Sequence, residues 1–186
     1  MLTAGVDEVG RGSLAGDVFA AAVILDPKKT IHGLKDSKKL SERHRAELDQ
    51  VIKHSALSFA IAKASVKEID SINILQASLL AMARAVHNLN VEPSFVLVDG
   101  NCLPAWDYSS KSIIKGDTKI PEIAAASIIA KVSRDAEMVQ MDSIYPKCGF
   151  FRNKGYPTKL HLEALNKFGP CAIHRRSFAP ISELLR

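Results

Sequence analysis

The sequence is poor in features that staple, anchor or export a chain. Its three cysteines, Cys102, Cys148 and Cys171, are an odd number with no C-x-x-C spacing. That argues against a disulfide framework and a zinc site, and suits a reducing compartment. No apolar run approaches the roughly 18 residues needed to span a bilayer. Met1-Leu2-Thr3 leads into strand-like sequence without the regions of a signal peptide, so a cytoplasmic protein with no membrane partner is expected. Internal repeats, low-complexity tracts and long linkers are absent as well. Residues 1–186 therefore read as one domain, and 47% hydrophobic with 24% charged residues is ordinary for a globular chain with a proper core.

Acidic residues are scarce in one place. From Lys147 to the end, eight lysines and arginines face only Glu163 and Glu183, a net +6 against +5 for the whole chain. A second basic cluster runs from Lys28 to Arg45. Such clusters suit a polyanionic partner, although a solvated basic surface explains them equally well.

Periodicity predicts an α/β protein. "LTAGVDEVG" and "GDVFAAAVIL" read as a hairpin across a glycine-rich turn. A charged loop runs from Asp26 to Leu40. Ser41 caps a helix to about His54, with Leu48, Val51 and Ile52 on its buried face. "ALSFAIAKA" is a third strand, and Ser65 with Glu68 forms a capping box for a helix through "ILQASLLAMARAVHNL". "SFVLVDG" and "KSIIKGD" are strands four and five, the fifth ending near Asp117. A helix over "PEIAAASIIAKVSRDAEMVQM" follows, with Pro121 in its first turn, and another spans about Thr158–Phe168. The helix between strands three and four permits a parallel crossover, so one mixed sheet covered by helices is expected.

Four acids sit at unusual places: Asp7 and Glu8 at the end of strand one, Asp99 closing strand four, and Asp117 after strand five. Singly, each has a plainer reading. Asp99-Gly100 suits a turn, Asp117 a helix cap, and Glu8 a solvent-facing strand position. Of two adjacent acids in a central strand, though, one faces inward. Together, acids at neighbouring strand ends converge on one edge of the sheet. Two carboxylates about 4 Å apart repel by roughly 4 kcal/mol at an effective dielectric near 20, so such a cluster binds a proton or a cation. All-oxygen donors select a hard ion, Mg²⁺ or Mn²⁺. Two such ions can activate water and stabilise the leaving oxygen in phosphodiester cleavage. Acids for metal and bases for phosphate fit a nuclease.

The ordered motifs "VDEVGRG", "DSKKLS", "VLVDGN", "KGD", "IAAASIIAKVSRD", "KGYPTKLH" and "HRRSFAP" cover nearly the whole chain. They closely resemble ribonuclease H of type 2, the bacterial ribonuclease HII family. The resemblance implies the ribonuclease H-like fold, a five-stranded mixed sheet flanked by helices, with a helical, basic, substrate-binding C-terminal part from about residue 147. It implies a metal-dependent endonuclease that cuts RNA paired to DNA and single ribonucleotides embedded in duplex DNA, in replication and repair, leaving 5′-phosphate and 3′-hydroxyl ends. It puts the catalytic, metal-holding acids at Asp7, Glu8, Asp99 and Asp117. The backbone of Gly10-Arg11-Gly12 would read the 2′-hydroxyl, where the lack of a Cβ permits close approach; a plain hairpin turn is the alternative. Tyr156 would stack on the sugar, and Lys35, Ser37 and Lys38 would contact phosphate, against ordinary roles as a half-buried tyrosine and a solvated loop.

Ser13 and Asp17 stand where many relatives have proline, and Asp17 adds a negative charge near the loop. Ribonuclease H of type 3, which acts on hybrids, typically has "GKG" and an extra N-terminal domain. "GRG" and a start at strand one favour type 2. A non-catalytic nucleic-acid-binding module, indifferent to chelator, is the remaining alternative. A monomer is expected, and a sequence that closes on "SELLR" suggests no clamp-binding tail.

Overall fold

In a computed structural model, which describes residues 2–34 and 40–186, strands β1 (Thr3–Val9) and β2 (Val18–Ile24) pair antiparallel, with Val9 opposite Phe19. β3 (Ser58–Ala64) pairs antiparallel with the far edge of β2. β4 (Phe95–Asp99) lies parallel to β1, and β5 (Ser110–Ile113) parallel to β4. The order β3-β2-β1-β4-β5 is the expected five-stranded mixed sheet. The helices are α1 (Glu42–Ser55), α2 (Val66–His87), α3 (Pro121–Ile144), α4 (Phe150–Asn153), α5 (Lys159–Phe168) and α6 (Ile181–Leu184).

β2 is buried along its whole length, because the sheet is covered on both faces. Ala4, Val6 and Val98 pack with Ala77, Ala81 and Val86 of α2 on one face. Ala21 and Val23 pack with Leu48 and Ile52 of α1 and Ile128 and Ile129 of α3 on the other. Alanines at these contacts let the helices lie close. At Gly5 the approach is tightest: a Cβ there would overlap the Glu122 backbone at the start of α3. By length and composition α2 is apolar enough to cross a membrane, but its Ile69, Ala77, Ala81 and Val86 are buried against the sheet.

The Ser65–Glu68 capping box forms as expected. The helix it starts is broken at Asn73 (φ 68°), whose Oδ1 accepts from the Gln76 amide and caps the second half. Two expectations are corrected. Val51 is 45% exposed, while Asp49 is buried and paired with Lys53 at 2.8 Å. At about 100° per residue, a face centred between Leu48, Asp49 and Ile52 leaves Val51 roughly 110° away. The fifth strand ends at Ile113, because Lys115 takes a left-handed conformation (φ 55°) and starts a 3₁₀ turn, Gly116–Thr118.

The basic C-terminal segment returns to the β1–β2 connection. The Leu14 amide donates to Gly155 O, the Gly16 amide to Ile173 O, and the Arg175 amide to Leu14 O, at 2.8–2.9 Å.

Candidate active site

Parallel pairing of β1 with β4 sets Val6 beside Val98, so the next residues, Asp7 and Asp99, leave the sheet at the same end. Alternation puts Asp7 on the α3 face of β1 and Glu8 on the other. At the strand's end both still reach Asp99, and one carboxylate oxygen from each of Asp7, Glu8 and Asp99 lies within 4.8 Å of the others. Asp7 is 5% exposed; its Oδ1 accepts from the Glu8 amide at 2.8 Å, and the Ser127 hydroxyl of α3 also bonds it. Asp99 Oδ1 accepts from the Gly116 amide at 2.6 Å. Asp117 follows on that turn. It is buried, at 2% exposure, but is not one of the three that meet within 4.8 Å.

The cluster is short of positive charge. Burial, then Glu8, then Asp99 push the Asp7 carboxyl well above the usual carboxylate range. Burial raises Glu8 as well, partly offset by Arg11, whose guanidinium lies 3.7 Å away. An all-carboxylate set at this spacing fits a hard divalent cation, which would replace the bound proton and relieve the repulsion.

The acids floor a cleft of about 440 Å³ that is also lined by Val9, Arg45, Ser127, Lys131 and Tyr156. Arg45 brings one end of the basic 28–45 cluster to the acids. Tyr156 reaches them from the tail, with Lys131 Nζ and the Arg134 guanidinium 5.4 and 5.3 Å from its ring centre. Sequence reasoning missed Arg45, Ser127 and Lys131 as cleft residues. The motif "IAAASIIAKVSRD" held the last two, at i and i+4 on one helix face. Lys35, Ser37 and Lys38 lie outside the described residues.

The Gly10-Arg11-Gly12 turn stands beside Glu8 and is held from behind by two buried arginines. Arg134 bonds Ser13 Oγ (2.7 Å) and the carbonyls of Ala15 (3.0 Å), Asp17 (3.2 Å) and Lys154 (3.0 Å). Arg175 bonds Gly16 O (2.8 and 3.0 Å) and Arg11 O (3.1 Å). Both are 0% exposed. Carbonyl dipoles in place of a carboxylate satisfy these guanidiniums. Arg175 is therefore not part of the basic surface counted from the tail. Gly10 (φ +97°) needs glycine, because a Cβ would overlap Arg134 Nε, whereas nothing lies within 4 Å of one at Gly12. Ser13 and Asp17 are turned from the acids: Ser13 is buried against Arg134, and Asp17 pairs with Lys63 (3.1 Å) and accepts from the Val66 amide at the start of α2.

Tyr156 is fixed by a relay. The Cys171 amide donates to His174 Nδ1 (2.9 Å), so His174 Nε2–H donates to His161 Nε2 (3.0 Å), and His161 Nδ1–H to Tyr156 O (2.9 Å). Burial lowers both histidines, His174 to about 4, so each stays neutral with one donor and one acceptor.

A family model described as Ribonuclease HII matches residues 4–181. A ribonuclease HII of Pseudoalteromonas atlantica is 56% identical over 180 residues, 97% of this chain and 91% of that protein. The crystal structure of the ribonuclease H2 from Pyrococcus horikoshii superposes with a TM-score of 0.82 at 27% identity, covering 99% of this chain and 97% of that one. The ribonuclease HII of Archaeoglobus fulgidus, solved in complex with PCNA, gives 0.79 at 26% identity, covering 96% and 95%.

Proposed function

The chain belongs to the ribonuclease HII family and is an endoribonuclease acting on nucleic acid, and from that premise we propose that it cuts RNA in RNA–DNA hybrids and at single ribonucleotides in duplex DNA, at the Asp7–Glu8–Asp99 cluster. The observation that carries this reading is the meeting of three carboxylates within 4.8 Å in a cleft that also holds Tyr156, beside the Gly10–Gly12 turn.

The enzyme depends on a divalent cation, which Asp7, Glu8 and Asp99 would hold, with Asp117 completing the set from the turn after β5. A pair of Mg²⁺ or Mn²⁺ ions held there would supply a water of lowered pKa and charge to offset that of the leaving 3′-oxygen. The protein's own work is positioning. Arg45 and Lys131 draw the phosphate backbone over the acids. The exposed Gly12 lets backbone approach the 2′-hydroxyl, while Arg134 and Arg175 keep the turn from yielding. Tyr156, its carbonyl tied to His161, offers its ring to the neighbouring sugar. The basic segment from about residue 147 serves as the substrate-binding part of one catalytic domain, with Lys35, Ser37 and Lys38 as further phosphate contacts. A cytoplasmic monomer in ribonucleotide removal fits this role.

The test is incubation with an RNA–DNA hybrid and with labelled duplex DNA containing one ribonucleotide, each with and without Mg²⁺, against an all-deoxy control. Cutting only at the ribonucleotide, leaving 5′-phosphate and 3′-hydroxyl ends and stopped by chelator, is the expected result. Equal cutting of the deoxy duplex refutes sugar discrimination. Cutting of the hybrid alone favours hybrid-only specificity.

A further inference from the structure

Among the described residues, a second group of metal-ligating side chains lies on the far side of the His161–His174 relay. Cys148 closes the 3₁₀ turn Pro146–Cys148 after α3, and Cys171 and His174 lie in the loop after α5. The sulfurs and His174 Nδ1 all lie within 4.8 Å of one another, with Cys171 Sγ 3.1 Å from that nitrogen. We propose that Cys148, Cys171 and His174 form a binding site for a thiophilic d¹⁰ cation, Zn²⁺, with water in the fourth position, that ties the turn after α3 to the loop after α5.

Four features support it. The spacing is right: tetrahedral Zn²⁺ with Zn–S near 2.3 Å and Zn–N near 2.05 Å puts its donors roughly 3.5–3.8 Å apart, so the three groups need shifts of about an ångström or less. The local turn is right as well. Cys171-Ala172-Ile173-His174 is a C-x-x-H turn closed by the His174 amide on Cys171 O (3.1 Å), and the Ile173 and His174 amides face Cys171 Sγ. Burial nonetheless raises both thiols, Cys148 to about 12, and these amides offset only part of that rise at Cys171. The outer partner is in place: a metal-bound histidine uses one ring nitrogen and gives the other N–H to an acceptor, and His174 Nε2–H already donates to His161. Binding would displace the Cys171 N–H···Nδ1 hydrogen bond, the Cys148–Cys171 thiol hydrogen bond and both thiol protons. There is also an entry path, a surface pocket of about 270 Å³ lined by Pro146, Lys147, Cys148, Phe168 and Cys171, through which water can complete the shell.

The donors differ in kind from the hard carboxylates of the active site, so one chain would sort two classes of cation. The loop that the cation would anchor continues into Arg175, which holds Arg11 O, and His174 bridges Ala15. The cation would thus brace the tail against the β1–β2 connection.

The test uses full-length protein, reduced with a phosphine and stripped of metal, titrated with Co²⁺ as a spectroscopic probe and with Zn²⁺ against a chromophoric chelator. One equivalent of Co²⁺ should give thiolate-to-cobalt charge-transfer absorption with intense tetrahedral d–d bands, and Zn²⁺ should displace it and raise the unfolding midpoint. Cys171→Ser, at a half-exposed position, should lose the charge-transfer band and the rise in midpoint. Cys148→Ser should do the same if it folds, whereas Cys102→Ser and Asp99→Asn should keep both. A weak octahedral cobalt spectrum in wild type, or a charge-transfer band that survives Cys171→Ser, overturns the proposal.

Discussion

Replacing Asp7 by Asn separates what the acid cluster does for catalysis from what it does to the fold. One carboxylate oxygen from each of Asp7, Glu8 and Asp99 lies within 4.8 Å of the others, and two unit charges at that distance repel by about 3.5 kcal/mol at an effective dielectric of 20. Proton uptake caps this cost, because burial and both neighbours raise the Asp7 carboxyl. The net relief from Asp7→Asn in metal-free buffer at pH 8 is then about 1–2 kcal/mol. For a chain of this length that raises the melting temperature by about 3–6 °C. Asn keeps an oxygen for the Glu8 amide and the Ser127 hydroxyl, so the local backbone stays. The pH dependence has a definite sign. A carboxyl whose folded pKa is raised binds its proton more tightly in the folded state. Its stabilising contribution is present below the unfolded value near 3.8 and is lost as pH rises through the raised value. The two proteins should therefore melt nearly together near pH 4 and separate towards pH 8, with the variant above. Mg²⁺ should lift wild type more than the variant, and cleavage by the variant should nearly vanish. The assay is paired melting in chelator and in Mg²⁺ across that range, with cleavage measured in parallel. An Asn variant no more stable than wild type at pH 8 in chelator would show that the acids do not repel, and near-normal cutting would remove Asp7 from the reaction.

Gly12→Ala should leave the melting temperature unchanged, since φ there is not positive and a Cβ meets nothing, yet slow cutting at a single ribonucleotide more than it weakens duplex binding. Gly10→Ala should instead cost at least about 1 kcal/mol of stability from its left-handed backbone alone; equal melting of the two variants would contradict the role given to Arg134. Duplex binding should weaken with salt at a slope of about −0.9 per neutralised phosphate, and salt-independent binding would rule out the basic tail and Arg45 as the backbone-binding surface. Arg84 and the Ser65 amide hold the Glu68 carboxyl down at about 2, so its contribution is present above 4.5 and lost as pH falls towards 2. Glu68→Gln should cost about 0.5–1 kcal/mol at pH 7 and less at pH 3.5 in denaturant titrations; a gap that ignores pH would assign the effect to something other than the carboxylate's charge.

Local physics made much of this protein legible in its sequence. Short apolar runs bounded by turn residues, the Ser65–Glu68 box, Pro121 and acids closing apolar strands each depend on residues within a few positions of one another, so the strands, the helix starts and the candidate acids could be read directly. The hairpin and the crossover then bring Asp7 and Asp99 to one end of the sheet. What depends on distant partners was not readable. Arg134 looks like a surface residue of an amphipathic helix and Arg175 like part of a basic tail, yet both are buried by carbonyls more than a hundred residues away in the chain. Val51 fits an apolar stripe, and only the rotation of α1 on the sheet exposes it. Cys148 and Cys171 show no paired spacing, because 22 residues separate them and the path of α4 and α5 alone brings them together beside His174. Which side chains share a volume is settled by packing over the whole chain, and no local pattern encodes the partner that arrives from elsewhere.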